Sequence, residues 1–300
     1  MNHVNRLEHD VLYHYTSWEV FEKIVKNHTW RFSSINGTND LSEDLNLYVR
    51  QLLSDKYLIQ NISDDAKNEI LDHIDIDNYY EFKNYFIACF SSKYDDLGQW
   101  RTSYGDYGRG VCIGINPKFF TNNLYLEKPD NLGWVDIVYD LQTQKQRLAK
   151  ITSKLEPPDE VWGIDNSYIL AMEIRDAALT MKHKAFHIEH EWRLVVSMID
   201  DEILDANFYS PIGNKYIDYD LKSHARKGEG ELFNSILLGK ECSHSKEDVK
   251  KLLSDNGFND SIKISKSNIP YRFSDDREKC KNIKEYNKLC QNNAIKVFIT

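Results

Sequence analysis

The sequence predicts an α+β fold with mixed, mainly antiparallel sheets and flanking helices. Three observations lead there. The runs "YFIACFSS" (85–92) and "VCIGIN" (111–116) are near-continuous apolar stretches of strand length, as in strands buried on both faces. "VLYHYT" (11–16) alternates and is rich in β-forming residues. Two helices begin at polar caps, one at Thr16 with Glu19 three residues on, the other at Ser245. With no internal repeat and no low-complexity linker, residues 1–274 read as one α+β domain. It carries a helical insertion at about 40–80, and 275–300 form a C-terminal helical extension.

After the first strand, the helix capped by Thr16 carries an apolar stripe of Trp18, Phe21, Ile24 and Val25. "WRFSSINGTNDLSEDL" (30–45) starts as a strand and breaks at Asn36-Gly37. A helix capped by Asp40 or Ser42 follows, carrying Leu45, Tyr48, Val49 and Leu52, and a third covers 64–73. Between the two apolar strands lies "KYDDLGQWRTSYGDYGRG", where Gly105, Gly108 and Gly110 signal flexibility or tight turns. "WVDIVY" (134–139) is a strand, 142–155 a helix, and Pro157-Pro158 a break. A helix over 166–182 precedes "FHIEHEWRLVVSMI" (186–199), read as one strand. Strands at 215–221, 235–240 and 262–267 follow, with the helix capped by Ser245 stopping at Gly257.

Composition narrows the function classes. The net charge of −9 argues against broad nucleic-acid binding, though not against a local basic groove. No run approaches the roughly 20 apolar residues of a membrane span, and the N-terminus carries no apolar secretory core. Five scattered cysteines without a C-x-x-C pair make a disulfide framework or zinc site unexpected, and a reducing cytoplasm is the simplest location. Tyrosine is plentiful at 18 residues, which suits stacking on flat ligands but also follows from codon bias.

Three places carry candidate chemistry. In "EHEWR", strand alternation puts Glu189, Glu191 and Arg193 on one face, with carboxylates about 7 Å apart. Such a pair suits acid–base work if one pKa rises, or forms an ordinary ion pair at a wet strand end. Glu191 is the stronger candidate because it directly precedes the buried run, and Glu189 reads as a solvent contact. His14 stands at a strand end beside a helix start, where ligands often bind, though taken alone it reads first as a core or surface histidine. The loop at 98–110 offers Arg101 and Arg109 to phosphates and Tyr104 and Tyr107 to a planar ring, yet it reads equally well as a polar surface loop. Neither nucleotide-binding glycine fingerprint is met, and there is no H-E-x-x-H and no G-x-S-x-G.

"LYHYTS", "TND-SE" (38–43), "CFS" (89–91), "QWR-SYG" (99–105), "EWRLV" (191–195) and "PYR" (270–272), in this order, resemble a large bacterial domain family of unknown function. A second resemblance is to ADP-ribosyltransferases, through a first-strand histidine, Tyr-Thr and a helix, and a glutamate on a late strand. That resemblance implies an ADP-ribosyltransferase-like fold and NAD as substrate. It implies that His14 holds a ribose hydroxyl, with Tyr15 and Thr16 as neighbours, and that Glu191 is catalytic at the nicotinamide ribose. Ser91, Tyr104 and Tyr107 are its candidates for the middle serine or tyrosine element, and Arg101 or Arg109 for the pyrophosphate. The partners implied are a macromolecular acceptor, protein or nucleic acid, and an antitoxin, in a toxin or phage-defence effector. On this reading Glu191→Gln leaves folding intact and abolishes NAD turnover. The contrasting expectation is a non-catalytic module in which Trp100 and Trp192 pack and Arg101 and Arg193 form structural ion pairs.

Overall fold

The computed structural model describes residues 9–35, 84–120, 132–152, 166–198, 208–209, 216–222 and 231–270, with helical residues at Asn68, Ile70 and Asp72. The chain divides into two compact units, Met1–Ser267 and Asn268–Thr300, and every element described here belongs to the first. The expected helix capped by Asp40 or Ser42, nearly all of the 64–73 helix and the C-terminal extension lie outside the described residues.

The strands are β1 (Leu12–Thr16), β2 (Thr29–Ser34), β3 (Asn84–Ser91), β4 (Val111–Ile115), β5 (Gly133–Asp136), β6 (Glu191–Met198), β7 (Phe208–Tyr209), β8 (Tyr216–Asp220), β9 (Phe233–Leu238) and β10 (Lys263–Lys266). They form one mixed sheet in the order β10-β9-β4-β1-β3-β2-β8-β7, with β6 against β3 and β5 against β6. Among the named strands only β9 and β10 run parallel. The helices are α1 (Trp18–Asn27), α2 (Leu97–Trp100), α3 (Leu141–Thr152), α4 (Asn166–Ala178) and α5 (Lys246–Asp255).

Alternation along the central strands builds two cores, one on each sheet face. Ala88 and Phe90 of β3 and Trp192, Leu194 and Val196 of β6 join Phe21, Ile24 and Val25 of α1 and Val249 and Leu253 of α5. On the other face Ile87 and Val195 meet Leu148 of α3 and Leu170, Ala171 and Ile174 of α4. The all-buried β4 and the deeply buried β3 explain why both read as apolar runs.

Local chemistry moves several predicted boundaries. The cap of α1 is Ser17, whose hydroxyl accepts from Val20 N, and not Thr16. Thr16 is still in the β1–β4 ladder opposite Val111, so its buried side chain is not available to the helix. Ser245 does cap α5, in a reciprocal capping box with Asp248. The helix expected to 182 ends at Ala178, because the chain turns to bridge Met181 to Val138. The strand expected from Phe186 starts at Glu191: Lys184–Glu189 form a 3-10 helix, and His190 turns left-handed with φ 46°.

Gly110 of the glycine-rich loop and Gly239 just after β9 are there for close approach. A Cβ on Gly110 would lie 2.2 Å from the Thr16 carbonyl oxygen, and one on Gly239 equally near that of Gly108. Gly239 N–H donates to Gly110 O at 2.9 Å, pinning the loop to the end of β9. Gly110→Ala is expected to cost about 3 kcal/mol, since backbone rather than a movable side chain blocks the methyl. Chemical denaturation of the variant checks this.

Candidate functional site

The pocket arises from a split in the sheet. Strand β6 lines one edge of β3 along its whole length, from Asn84↔Met198 to Ser91↔Glu191. The other edge is shared: β1 pairs at Ser91, and β2 pairs at Phe86 and Ile87. Between them β1 and β2 diverge and leave Ala88, Cys89 and Phe90 facing a gap. A pocket of about 290 Å3 opens there, lined by Ile87 to Ser91, by Tyr13, His14 and Tyr15 of β1, and by Arg31 and Ser33 of β2. Gln99, Tyr104, Lys182, Glu189 and Glu191 complete the lining.

Glu191 is at the start of β6, 3% exposed. Arg193, two residues along the same face, donates from Nε to Oε1 at 2.7 Å and from Nη2 to Oε2 at 3.3 Å. Lys182 Nζ donates to Glu191 Oε2 at 3.1 Å and to Glu189 Oε2 at 2.6 Å. Burial opposes the charged form of Glu191, but Arg193 and Lys182 outweigh it and hold the carboxyl at about 2. Of the two carboxylates, Glu191 is therefore one that stays ionised throughout the physiological range. Glu189 does not share its strand face, because it belongs to the 3-10 turn. It reaches Glu191 through Lys182.

Against the expectation that Glu191→Gln leaves folding intact, these contacts make destabilisation the expected result. The side chains of Arg193 and Lys182 are 2% and 3% exposed, and a neutral residue at 191 would strand buried positive charge.

His14 does not sit across from Glu191. Its neighbour Tyr13 pairs with Ser91, which pairs with Glu191, so those three share a face. His14 points to the opposite face and packs against Trp30 and Phe90 at ring-centroid distances of 5.1 and 5.6 Å. It reaches the pocket through the gap, where its Nδ1 lies 2.9 Å from Cys89 O. A carbonyl only accepts, so Nδ1 carries the proton and Nε2 is the acceptor. Burial pushes the imidazole pKa down and so favours the neutral ring, and that bond offsets the effect in part.

The remaining predicted residues separate into two groups. Ser91 lines the pocket and donates to Glu189 O at 2.8 Å. Tyr104 lines it and is 51% exposed as a residue. Tyr15 lines it too, but its hydroxyl is used structurally, donating to Lys93 O and accepting from Asp96 N–H. Thr16, Arg101, Tyr107 and Arg109 are absent from the lining. Arg101 is exposed, and Arg109 pairs with Asp106 at 3.0 Å. The lining guanidinium is Arg31, held by Asp218 through two bonds of 2.8 and 2.9 Å and lying over the Tyr216 ring.

The loop carrying α2 closes one side of the pocket. Trp100, fully buried, donates from Nε1 to Asp95 Oδ1 at 2.8 Å and meets the Tyr15 ring edge-on. Gln99 Nε2 donates to Glu189 O at 2.8 Å, tying the loop to the 3-10 turn. Asp95, Asp106, Tyr107 and His190 adopt left-handed backbone angles in these two segments. Strained backbone of this kind gathers where a site demands it.

Tyr13, Arg31, Cys89, Gln99 and Lys182 are pocket residues that the sequence did not single out for chemistry. Tyr13, Cys89 and Gln99 stand in the quoted motifs "LYHYTS", "CFS" and "QWR". Arg31 and Lys182 carry no local signal. Among the described residues no group of three or more His, Cys, Asp or Glu is placed to hold a metal ion, and no helix is long and apolar enough to cross a membrane.

A family described as "Protein of unknown function (DUF2971)" matches residues 99–194. The match runs from the pocket loop into β6, taking in Gln99, Trp100, Lys182 and Glu191 and leaving out β1 and His14. No curated protein and no solved structure matches the chain.

Proposed function

We propose that the pocket binds NAD as a substrate, cleaves its nicotinamide–ribose bond and transfers ADP-ribose to a macromolecular acceptor, as in a toxin or phage-defence effector. The observation that carries this reading is convergence: His14, Ser91 and Glu191, from the neighbouring strands β1, β3 and β6, line one pocket. Cleavage passes through an oxocarbenium-like state, and an ionised carboxylate fixed beside the ribose favours that charge over the neutral sugar. Glu191 supplies that carboxylate, already charged and immobilised. His14 Nε2, an acceptor, suits a ribose hydroxyl donor. Tyr13 and Tyr104 offer ring faces to a planar group. The volume of about 290 Å3 is at the low end for ligand sites and suits the nicotinamide riboside half, with the rest of the dinucleotide outside.

A second reading is favoured by the closure of Glu191 into contacts with Arg193 and Lys182, and by the burial of Trp100 and Trp192. On it the "QWR" and "EWR" segments are structural and the domain is a non-catalytic module, with Arg101 exposed instead of paired in the core. Incubating the purified protein with NAD and measuring released nicotinamide separates the two. Release that His14→Ala abolishes supports the enzyme, while no release and no NAD binding supports the module.

A further inference from the structure

The chain fixes the backbone of Lys182 with unusual care for a residue just past a helix. Its N–H donates to Val138 O at 3.2 Å, and its carbonyl accepts from the Gln144 side chain at 2.9 Å. The same Gln144 nitrogen also holds Val138 O at 2.6 Å, and the adjacent Met181 bridges to Val138. The side chain then runs past the Phe186 ring, 4.8 Å from its centroid, to end between two carboxylates. We propose that Lys182 is a positioning residue: its ammonium clamps Glu189 and Glu191 side by side and fixes the Glu191 carboxylate in the pocket wall.

Arg193 grips Glu191 from within the same strand, and the Glu189 side chain on the 3-10 turn is held by Lys182. Lys182 thereby links the side chain of the turn to that of the strand start. The peptide oxygen of Glu189 is held by Ser91 and Gln99, and its carboxylate by Lys182, so side chain and backbone are anchored to different elements. Without a cation between them the two carboxylates repel, and Glu189 has reason to swing outward and carry the turn with it. A compact ammonium with three donors suits this place between two acceptors. The ionisable groups around Glu191 are Arg193 on its own strand, Lys182 after α4, Glu189 on the turn, Cys89 on β3, Tyr139 after β5, and His14 of β1 at the gap. Among the described residues the first two carry the positive charge there, since burial favours the neutral ring of His14.

The clamp rests on the NAD-cleavage reading for its catalytic meaning, but its geometry is testable without turnover. In protein labelled with 13C at glutamate side-chain carboxyls, Lys182→Gln is expected to raise the Glu191 titration midpoint by about one to three units. Lys182→Arg, which keeps the charge, should restore most of the shift. For turnover, Lys182→Gln should lower kcat while leaving KM for NAD nearly unchanged. An unaltered Glu191 midpoint in Lys182→Gln overturns the proposal. Should that variant fail to fold, 15N observation of the wild-type Lys182 ammonium decides. Protons exchanging far more slowly than those of surface lysines support the clamp, and exchange at the surface rate overturns it. A protein that cleaves no NAD yet shows the Glu191 shift refutes the NAD reading and supports the clamp.

Discussion

Glu191→Gln should lower global stability by about 3–5 kcal/mol, because it leaves Arg193 and Lys182 buried against a neutral amide. In thermal unfolding this is a fall on the order of 10 °C. The same substitution should cut NAD cleavage by about 10²–10³-fold, the scale of removing one preorganised electrostatic partner of a transition state. The double variant Glu191→Gln with Lys182→Met removes one cation along with one anion. It should recover part of the stability and none of the turnover, which separates charge balance from chemistry. A pH series adds a signature. Glu191 has a folded pKa lowered from 4.5 to about 2, so its contribution is complete above the unfolded value and is lost as pH falls between the two. Wild type should lose this increment from about pH 4.5 down to 2, and Glu191→Gln should lack it. Equal stability of variant and wild type at pH 7 would show that the ion-pair cluster is not what holds this end of β6.

Trp100→Ala should cost about 3–5 kcal/mol, the range for deleting a fully buried large aromatic. The loss has a place as well as a size. Trp100 anchors the loop through the Asp95 carboxylate and the edge of Tyr15, and the loop carries Gln99 and Tyr104 into the pocket. The variant should therefore become sensitive to proteolysis between Asp96 and Gly110 well below its unfolding temperature. Trp100→Phe, which keeps part of the packing and loses the hydrogen bond, should fall between variant and wild type. A variant within 1 kcal/mol of wild type and resistant to protease in that loop would contradict the role given to Trp100.

The sequence made the buried frame readable and the polar site only in part, for physical reasons. Strands β3 and β4 are buried on both faces and must be apolar almost throughout, so unbroken apolar runs of strand length marked them. Helices α1 and α5 were found by capping chemistry, which is local. The error of one residue at Ser17 arose because Thr16 and Ser17 both suit a cap, and only the β1–β4 ladder decides between them. "FHIEHE" was read as strand together with the apolar run after it, and alternation then put Glu189 and Glu191 on one face. His190 in the left-handed region ends that alternation, and nothing in a single sequence marks a histidine for that conformation. His14 and Glu191 were correctly placed on strands, yet their relation depends on a register and a sheet split set by β2 and β6, far away in sequence. Lys182 and Arg31 were invisible for the same reason: each is defined by a partner, Glu191 or Asp218, that only the fold brings near.

The most direct test of the central claim uses NAD labelled separately in nicotinamide and in adenylate, incubated with the purified protein with and without cell lysate. Release of labelled nicotinamide and transfer of adenylate label to a macromolecule are expected, both lost in His14→Ala and in Glu191→Gln held below its lowered melting temperature. No nicotinamide release, no adenylate transfer and no NAD binding by the folded wild-type protein would contradict it.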